Sequence, residues 1–252
     1  CQSIEALGEA GAQALHRHNS ALAIRAIDAL SHVGQLFLNT EKSLGHPTQN
    51  KELQAEGVKD TLSYVFLLIL QHLESLYSIA LEKKQELVLN HLITALTEMA
   101  IKAAHVDLTL VILPLHYIKN LSRKAIEQQH IEIGVKTGIG LMELAKEIAR
   151  LKDLAYLDIK PTYHLILNSL DGIAQATFKL DKTSDISLLV QPIRSLQTLF
   201  NEGPLKDHQD APIIQKQITT VLSEFQVLDT LMKTIPPLPN LSQEEGQQKP
   251  SP

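Results

Sequence analysis

The chain has 252 residues, a net charge of −5, 4% aromatic residues with no tryptophan, and a single cysteine. This length suits one solenoid or one to two globular domains. The sequence has no dense stripe of lysine and arginine and few aromatic side chains, which argues against nucleic-acid binding, and one cysteine excludes an intrachain disulfide or a cysteine-based zinc site.

An eight-residue pattern recurs along most of the chain. It reads apolar, any, small, Leu, any, any, apolar, small, and its clearest copies begin at Ile4, Ile27, Leu73, Ile93 and Leu167. Weaker copies cover residues 115–122, 138–145, 193–200 and 219–226. Spacings of three and four place the apolar and small positions on one helix face. The pattern therefore predicts helices that pack closely side by side.

The copies recur at a nearly regular interval. Their last positions are residues 11, 34, 80, 100, 122, 145, 174, 200 and 226, which lie 20 to 29 residues apart except for one gap of 46. We interpret the long gap as a unit that is degenerate or replaced by a loop at residues 45–50. A period in this range, carried by helix-forming residues, indicates stacked helical units.

The predicted elements follow from this pattern and from the turn residues between its copies. Asn19 or Ser20 is expected to cap the helix at residues 21–39. Ser184 or Asp185 is expected to cap the helix at residues 184–202, and Asp210 the helix at residues 211–234. The third helix is predicted to be central, because its middle is apolar almost all round, with an interruption at Gly57. We predict helices at residues 3–16, 21–39, 51–84, 86–104, 107–128, 130–151, 162–179, 184–202 and 211–234, with a loop at 40–50 and a connector at 152–161.

Two prolines occupy the same place in their copies. Pro114 and Pro192 each lie eight residues before the last position of a copy. Proline inside a helix removes a backbone hydrogen bond, so this placement predicts a bend or a helix start in both helices. Residues 1–235 are predicted to form one helical-repeat domain, and the composition of residues 236–252 predicts a disordered tail.

The period and the small-and-leucine pattern resemble those of the HEAT and armadillo group of α-solenoids, in which about 40 to 47 residues form a helix pair. The resemblance covers roughly residues 3–230 and implies an all-α solenoid of stacked antiparallel helices that binds protein or peptide ligands. The alternative is an irregular helical bundle, since many amphipathic helices match a small-Leu-x-x-apolar pattern.

No constellation of residues points to catalysis, a cofactor or a metal. His16 and His18 are two residues apart and so point to different helix faces, while His32, His72 and His164 lie beside apolar positions. Acidic residues are scattered singly, although a groove could bring together residues such as Asp153, Asp158 and Asp171. We therefore predict no enzyme, no cofactor and no catalytic, cofactor-binding or metal-binding residue.

The leading hypothesis is a non-catalytic interaction scaffold for a protein or peptide partner. Its groove is expected to be lined by the glycine-bearing helix at residues 134–140 and by the histidine-bearing turns. The alternatives are an extramembrane or lipid-anchored domain of a larger bacterial membrane protein, and a helical small-molecule binder or enzyme with a pocket between helices.

The compartment stays open between cytoplasmic and membrane-associated. The longest apolar runs, residues 64–70 and 108–115, fall far short of the ~20 residues that span a bilayer, so the sequence predicts no spanning helix. Membrane contact is expected only through segments outside this chain or through a lipid on Cys1, as in a processed bacterial lipoprotein. We favour the competing interpretation that the sequence was cut from a longer chain, because the first copy begins at Ile4 without a polar tether.

Overall fold

The structure is a computed structural model, and it describes residues 2–44, 52–151, 157–179, 187–203 and 205–234. These residues contain nine α-helices, one short 3₁₀ helix and no strand, which confirms the all-α prediction. The α-helices are α1 (Gln2–His16), α2 (Ser20–Leu44), α3 (Glu52–Glu82), α4 (Glu86–Ala104), α5 (Ile112–Glu127), α6 (Ile131–Ile148), α7 (Lys160–Lys179), α8 (Ser187–Asn201) and α9 (Ala211–Thr234).

The helices form two layers, as expected for a solenoid. The first layer contains α1, α3, α5, α7 and α9 in that spatial order, and the second contains α2, α4, α6 and α8. Helix α3 packs against α1, α2, α4 and α5, which confirms its predicted central place. It runs without a break through Gly57, so the predicted interruption there is wrong.

Three-residue turns join the helices of successive pairs. After α1, α3 and α5 the chain passes through a residue with positive φ, His18 (54°), Lys84 (54°) or Gln129 (65°). At each turn the next backbone N–H reaches back to a carbonyl of the last helical turn, as from Asn19 to Ala14 at 2.8 Å. This geometry satisfies carbonyl groups that a helix end leaves unpaired and reverses the chain into the next helix.

Side chains tie these turns to one another. The Asn19 side chain accepts a hydrogen bond from the Leu22 backbone N–H at 3.1 Å, which confirms it as the cap of α2. The Gln85 side-chain amide, from the turn after α3, donates to the Leu15 carbonyl at 2.9 Å. The same side chain accepts from the Ser20 hydroxyl at 3.3 Å. Consecutive helix pairs are thus connected at their turns as well as along their faces.

Each of the nine helices carries one copy of the sequence pattern. The described residues in the 46-residue gap contain no further helix, so the expectation of a degenerate unit was wrong, while the alternative of a loop at residues 45–50 lies outside the described residues. Instead, α2 continues for ten residues beyond Gly34, and α3 begins 28 residues before Ala80. Longer helices, and not an extra one, stretch the interval at this point.

The pattern predicts burial well at two of its positions. Residues at the fourth position are buried in every copy except the first, where Leu7 is half-buried. Last positions are buried in all eight copies whose side chains are described. The third position is less regular, because Ala6 and Ser75 are exposed whereas Ala95 and Ser169 are buried. The small residue there is needed only where a neighbour covers that side of the helix.

Small residues at the buried positions allow close helix contact. A Cβ atom at Gly11 would lie 3.0 Å from Leu76 of α3, and one at Gly34 would lie 2.9 Å from Met99 of α4. Both distances are too short for an unstrained carbon contact. These glycines therefore set the spacing between neighbours in the same layer.

The two equivalent prolines behave differently. Pro114 is the third residue of α5, directly after the 3₁₀ helix Leu108–Val111, so it marks a helix start. Proline is tolerated there because first-turn N–H groups lack intrahelical partners. Pro192 is the sixth residue of α8, beyond the first turn.

Several predictions fall on parts of the chain outside the described residues. These are the loop residues 45–50, Asp153 and most of the connector, the caps Ser184 and Asp185, the segment 236–252, and Cys1. The described part of the connector ends earlier than expected, because α7 begins at Lys160.

Within the part of the chain that the structure describes, three helical segments are long and apolar enough to cross a membrane, judged by length and composition alone. They are Ser20–Thr40, Tyr64–Glu82 and Glu86–Ala104. The sequence criterion of unbroken apolar runs missed these segments, and the absence of a spanning helix stays a prediction. A few well-separated polar residues interrupt a run without making the segment polar on average.

Candidate functional site

The seams between first-layer helices differ in what fills them. Between α3 and α5, the Lys124 ammonium group lies 2.9 Å from the Glu74 carboxylate and 3.4 Å from the Ser78 hydroxyl. Deeper in this seam, the buried Tyr77 donates its hydroxyl to the Leu121 carbonyl at 3.1 Å. Burial also raises the pKa of Tyr77 above its ordinary value, so it remains a neutral donor. This seam is closed by side chains.

The seam between α5 and α7 is open instead. It forms a groove of about 410 Å³ along the C-terminal halves of both helices. This volume falls within the range of sites that hold a small molecule or a few side chains of a partner. The residues that line it are Lys119, Ser122, Arg123, Ile126 and Glu127 from α5, and Asn168, Ser169, Gly172, Ile173, Gln175 and Ala176 from α7.

The floor of this groove, the α5/α7 groove, is mostly apolar. Ile126 and Ile173 are buried there, together with the two serines Ser122 and Ser169. Both serine hydroxyls donate to carbonyls of their own helices, Lys119 and Leu165 respectively. Since their donors are already used, the serines add little polarity to the floor. The floor therefore favours an apolar occupant.

The rim of the groove is polar and carries positive charge on the α5 side. Arg123 lies 3.6 Å from the Glu127 carboxylate, four residues further along the same helix. No carboxylate of the described residues lies within 4.0 Å of the Lys119 ammonium group. The α7 rim has the neutral amides of Asn168 and Gln175. An occupant with acidic groups would find Lys119 available for an ion pair.

Gly172 explains why the groove is open. A Cβ atom built at this residue meets no atom within 4 Å, in contrast to the close contacts at Gly11, Gly34 and Gly140. Gly172 is the sixth residue of its pattern copy. In the other copies this position holds residues with side chains, namely Glu9, His32, Ser78, Glu98, Asn120, Glu143, Thr198 and Glu224. The sequence signal for the groove was therefore a glycine at a position that is elsewhere occupied.

The next seam, between α7 and α9, is polar. The Gln217 amide hydrogen-bonds with Nδ1 of His164, and the Asn168 amide lies 2.9 Å from its Nε2 atom. Two turns further on, Asp171 of α7 meets Glu224 of α9. These paired positions advance together along both helices, so α7 and α9 run parallel.

The Glu224 carboxyl group of α9 lies beside that of Asp171. Their hydrogen bond, followed by burial and by the charge of Asp171, raises the pKa of Glu224 from 4.5 to about 7. Oδ1 of Asp171 is buried and has no hydrogen-bond partner among the described residues, so a proton held by Glu224 would supply a donor there. Asp171 lines the smaller groove of about 200 Å³ at this seam, which also contains Lys216.

A third groove, of about 220 Å³, lies between α2 and α4 of the second layer. Here Oδ1 of Asp28 lies 2.6 Å from Nε2 of His91, and His32, Ser31 and Glu98 line the same groove. The residues that the structure describes include no cluster of three or more potential metal ligands, at this groove or elsewhere. The arrangement is a charge-assisted hydrogen bond that links two neighbouring helices.

The remaining residues singled out in the sequence do not converge. His16 and His18 are exposed at the end of α1 and in the turn that follows, and Asp158 is exposed before α7. His72 of α3 packs against Gly8 of α1, where a Cβ atom would lie 2.2 Å from its ring.

The expectation that the glycines at residues 134–140 line a binding groove was wrong. Gly134 and Gly140 are buried against Ile126 and Thr97, respectively. Their role is close helix contact, because a side chain at either position would overlap the neighbouring helix. Of the histidines singled out in the sequence, His32 lines a groove described above, and His91, which was not singled out, lines the same one.

No protein-family model matches the chain, and no curated protein resembles it in sequence. Among solved structures, the chain is similar to a circular tandem repeat protein with a novel repeat topology and enhanced subunit contact surfaces. The two are 17% identical with a TM-score of 0.57, and the match covers 91% of this chain and 52% of that one. A de novo designed helical repeat protein is also similar, at 13% identity and a TM-score of 0.40 over 92% of this chain and 95% of that one.

The first of these likenesses shows the helical-repeat fold. This chain spans about half the length of that circular repeat protein. At 17% identity the similarity concerns the fold alone, and the site must be argued from this chain's own residues.

Proposed function

We propose that the protein is a non-catalytic scaffold that binds a protein or peptide partner in the α5/α7 groove. The observation that carries the proposal is the seam itself, which has an apolar floor and a basic rim and is left open by Gly172. A solenoid is stabilised by contacts between neighbouring helices, so the open seam lacks packing that stabilises the chain elsewhere. The seams at Gly11, Gly34 and Gly140 keep that packing.

The shape of the groove suits a segment that lies along the helix direction. It follows two parallel helices, from Lys119 to Glu127 on one side and from Asn168 to Ala176 on the other. Eight helical residues rise ~12 Å, which accommodates two or three anchor side chains of a bound helix or an extended peptide. The apolar floor would contribute affinity, while Lys119 and Arg123 would favour acidic residues beside the anchors.

The proposal includes a specific likeness to HEAT and armadillo proteins, beyond the helical-repeat fold in general. Helix pairs stacked in two layers support it, as do the three-residue turns that repeat after α1, α3 and α5. Proteins of that group bind protein or peptide ligands along surfaces made from equivalent helices. The α5/α7 groove lies on such a surface.

The experiment uses a photo-crosslinking amino acid at the exposed position Gln175 on the groove rim. We expect discrete cross-linked species when the protein is expressed in its source cells. The substitution Gly172→Leu, which places a side chain in the open groove, should remove these species. A crosslinker at Glu143 is the matched control, because Glu143 is exposed on α6 at the repeat position equivalent to Gly172.

Two results would contradict the proposal. Cross-linked species of the same mass from Gln175 and Glu143 would indicate non-specific contact. Species that persist unchanged in Gly172→Leu would place the partner outside the groove. The folded state of Gly172→Leu is checked by circular dichroism, and no steric obstacle is expected because nothing lies within 4 Å of the added Cβ atom.

A second candidate function, small-molecule binding, is favoured by the volume of the same groove. The two functions differ in what occupies the site. A thermal-shift screen of apolar carboxylic acids would raise the melting temperature of the wild-type protein but not of Gly172→Leu. If no compound is stabilising while protein cross-links form, the scaffold function is favoured.

The proposal places the three helical segments that could span a membrane in a solenoid that lies outside the bilayer. Asp28, Glu74 and Glu98 lie inside the three segments, and each lies at a seam or groove between neighbouring helices. Charged groups near the middle of a spanning helix cost several kcal/mol, roughly 2.5–3.5 each on insertion scales. Membrane contact through other segments or a lipid on Cys1 remains a prediction.

A further inference from the structure

We propose that the occupant of the α5/α7 groove, in the resting protein, is the segment 235–252 of the same chain. In this arrangement Leu241 packs on Ile126 and Ile173, and Glu244 and Glu245 lie beside Lys119 and Arg123. The inference rests on the proposed function and adds its regulation, because a partner must displace the segment to bind.

The position where α9 ends supports this assignment. Helix α9 runs parallel to α7, with Glu224 beside Asp171, and it ends at Thr234. The α5/α7 groove lies at the corresponding end of the first layer, because it follows the C-terminal halves of α5 and α7. The chain therefore leaves α9 on the same side of the solenoid end as the groove, one helix away from it.

The distance is within reach of the segment. Crossing α7 to the groove takes ~14 Å at a helix spacing of 8–10 Å. Returning along the axis from Thr234 to the level of Gly172 takes ~14 Å, at 1.5 Å per helical residue. Together these steps require ~20 Å, and the seven residues from Thr234 to Leu241 span up to ~23 Å when extended.

The chemistry of the segment complements the groove. It begins with an uncharged stretch, Ile-Pro-Pro-Leu-Pro-Asn-Leu, and continues to the acidic pair Glu244-Glu245. Proline-rich sequences favour an extended conformation before they bind, which lowers the entropy lost on docking. The apolar stretch suits the floor, and the acidic pair suits the basic α5 rim.

The test measures intramolecular disulfide formation in the full chain. The substitution Cys1→Ser removes the single native cysteine. Ala176→Cys on the groove is then combined with Ser242→Cys beside Leu241. The control pair combines Glu143→Cys, on the exposed surface of α6, with the same Ser242→Cys. The two pairs carry the same tether but different spans, so docking is read from the loss of rate when Leu241→Asp is added to the groove pair, where tether and span are unchanged.

We expect the groove pair to form its disulfide at least ~10 times faster than the control pair, because docking raises the local concentration of the two thiols. Gly172→Leu should reduce the rate to that of the control, and Leu241→Asp should do the same. Circular dichroism checks that the described helices stay folded in both variants.

Equal rates for the two pairs would overturn the proposal. So would a disulfide between two chains, which would assign the groove to the segment of a second copy. Cross-links from Gln175 to another protein, without a rate difference, would leave the proposed function standing and remove this inference alone. If the rates differ but no partner is captured, even after deletion of residues 235–252, this inference stands and the proposed function falls.

Discussion

Gly140 of α6 faces Thr97 of α4 so closely that a Cβ atom at residue 140 would lie 2.5 Å from the Oγ1 atom of Thr97. The contact is one of shape, because that hydroxyl oxygen is buried and has no hydrogen-bond partner among the described residues. The seam between α4 and α6 therefore depends on the missing side chain. Two opposing effects determine how a side chain added at residue 140 changes the free energy of unfolding.

Gly140→Ala should lower the free energy of unfolding by about 1–2 kcal/mol. Alanine gains up to about 1 kcal/mol over glycine inside a helix, whereas overpacking a well-packed seam costs typically about 1–3 kcal/mol. In the background Thr97→Ala, the nearest remaining atom is Cβ of residue 97 at 3.5 Å, an ordinary contact. There the same substitution should be neutral or stabilising.

Urea unfolding of the four proteins in this cycle measures the coupling. Equal effects of Gly140→Ala in both backgrounds would show that the contact with Thr97 does not set the helix spacing.

Gly172→Ala should have the opposite effect to Gly140→Ala, because it should raise the free energy of unfolding by roughly 0.5–1 kcal/mol. The residue lies inside α7, and its added Cβ atom meets nothing within 4 Å. The helix-propensity gain is therefore not offset by a clash. The urea midpoint should rise, and a fall would mean that the α5/α7 groove is closed in solution.

Tyr163→Phe should lower the free energy of unfolding by about 1 kcal/mol. The fully buried Tyr163 hydroxyl donates to the Ala145 carbonyl at 2.7 Å, and its ring lies edge-on to Phe200 at 5.0 Å. The variant keeps the ring contact, and the Ala145 carbonyl keeps its helical bond from Ala149, so the cost stays at the low end of the range for a lost hydrogen bond.

Tyr117→Phe is the matched control for this measurement. Tyr117 is only half-buried, and its hydroxyl has no hydrogen bond to the described residues. Thermal unfolding should separate the two variants, and equal melting temperatures would show that the buried bond adds nothing to the docking of α7 on α6.

The helices and the face that each buries were predictable from the sequence, because both follow from local periodicity. Leu30 and Ala100 are buried as their places in the pattern require. Helix α4 was predicted with the bounds that the structure shows. The positions of the turns were predicted but their geometry was not, since His18, Lys84 and Gln129 occupy a left-handed conformation that favours glycine.

The candidate site escaped the sequence for a different reason. A groove exists where a side chain is absent, and the sequence pattern marks only the positions that must be filled or small. Gly140 occupies the small third position of its copy and faces Thr97, whereas Gly172 occupies the unrestricted sixth position and faces open space. The difference depends on which helices become neighbours, which period alone does not determine. Asp171 and Glu224, 53 residues apart, meet for the same reason.

The carboxyl pair Asp171 and Glu224 gives the last prediction, a pH-dependent docking of the terminal helix α9. Glu224 has its pKa raised from 4.5 to about 7 in the folded protein, chiefly by the hydrogen bond with Asp171. The folded state therefore binds more protons than the unfolded state between these values. By linkage, stability is highest at the acid end of this window and falls as the pH rises towards 7.

Lys216 of α9 lines the same groove as the pair, and His164 lies two turns away on α7, where Gln217 and Asn168 hydrogen-bond with its ring nitrogens. Glu224→Gln supplies a permanent donor to Asp171, so it should flatten the pH dependence between 4.5 and 7 and stabilise the protein at pH 8. Glu143→Gln, at the equivalent repeat position on α6, should keep the wild-type slope. Melting temperatures across this pH range measure both, and a slope in Glu224→Gln equal to that of the control would place the titrating group elsewhere.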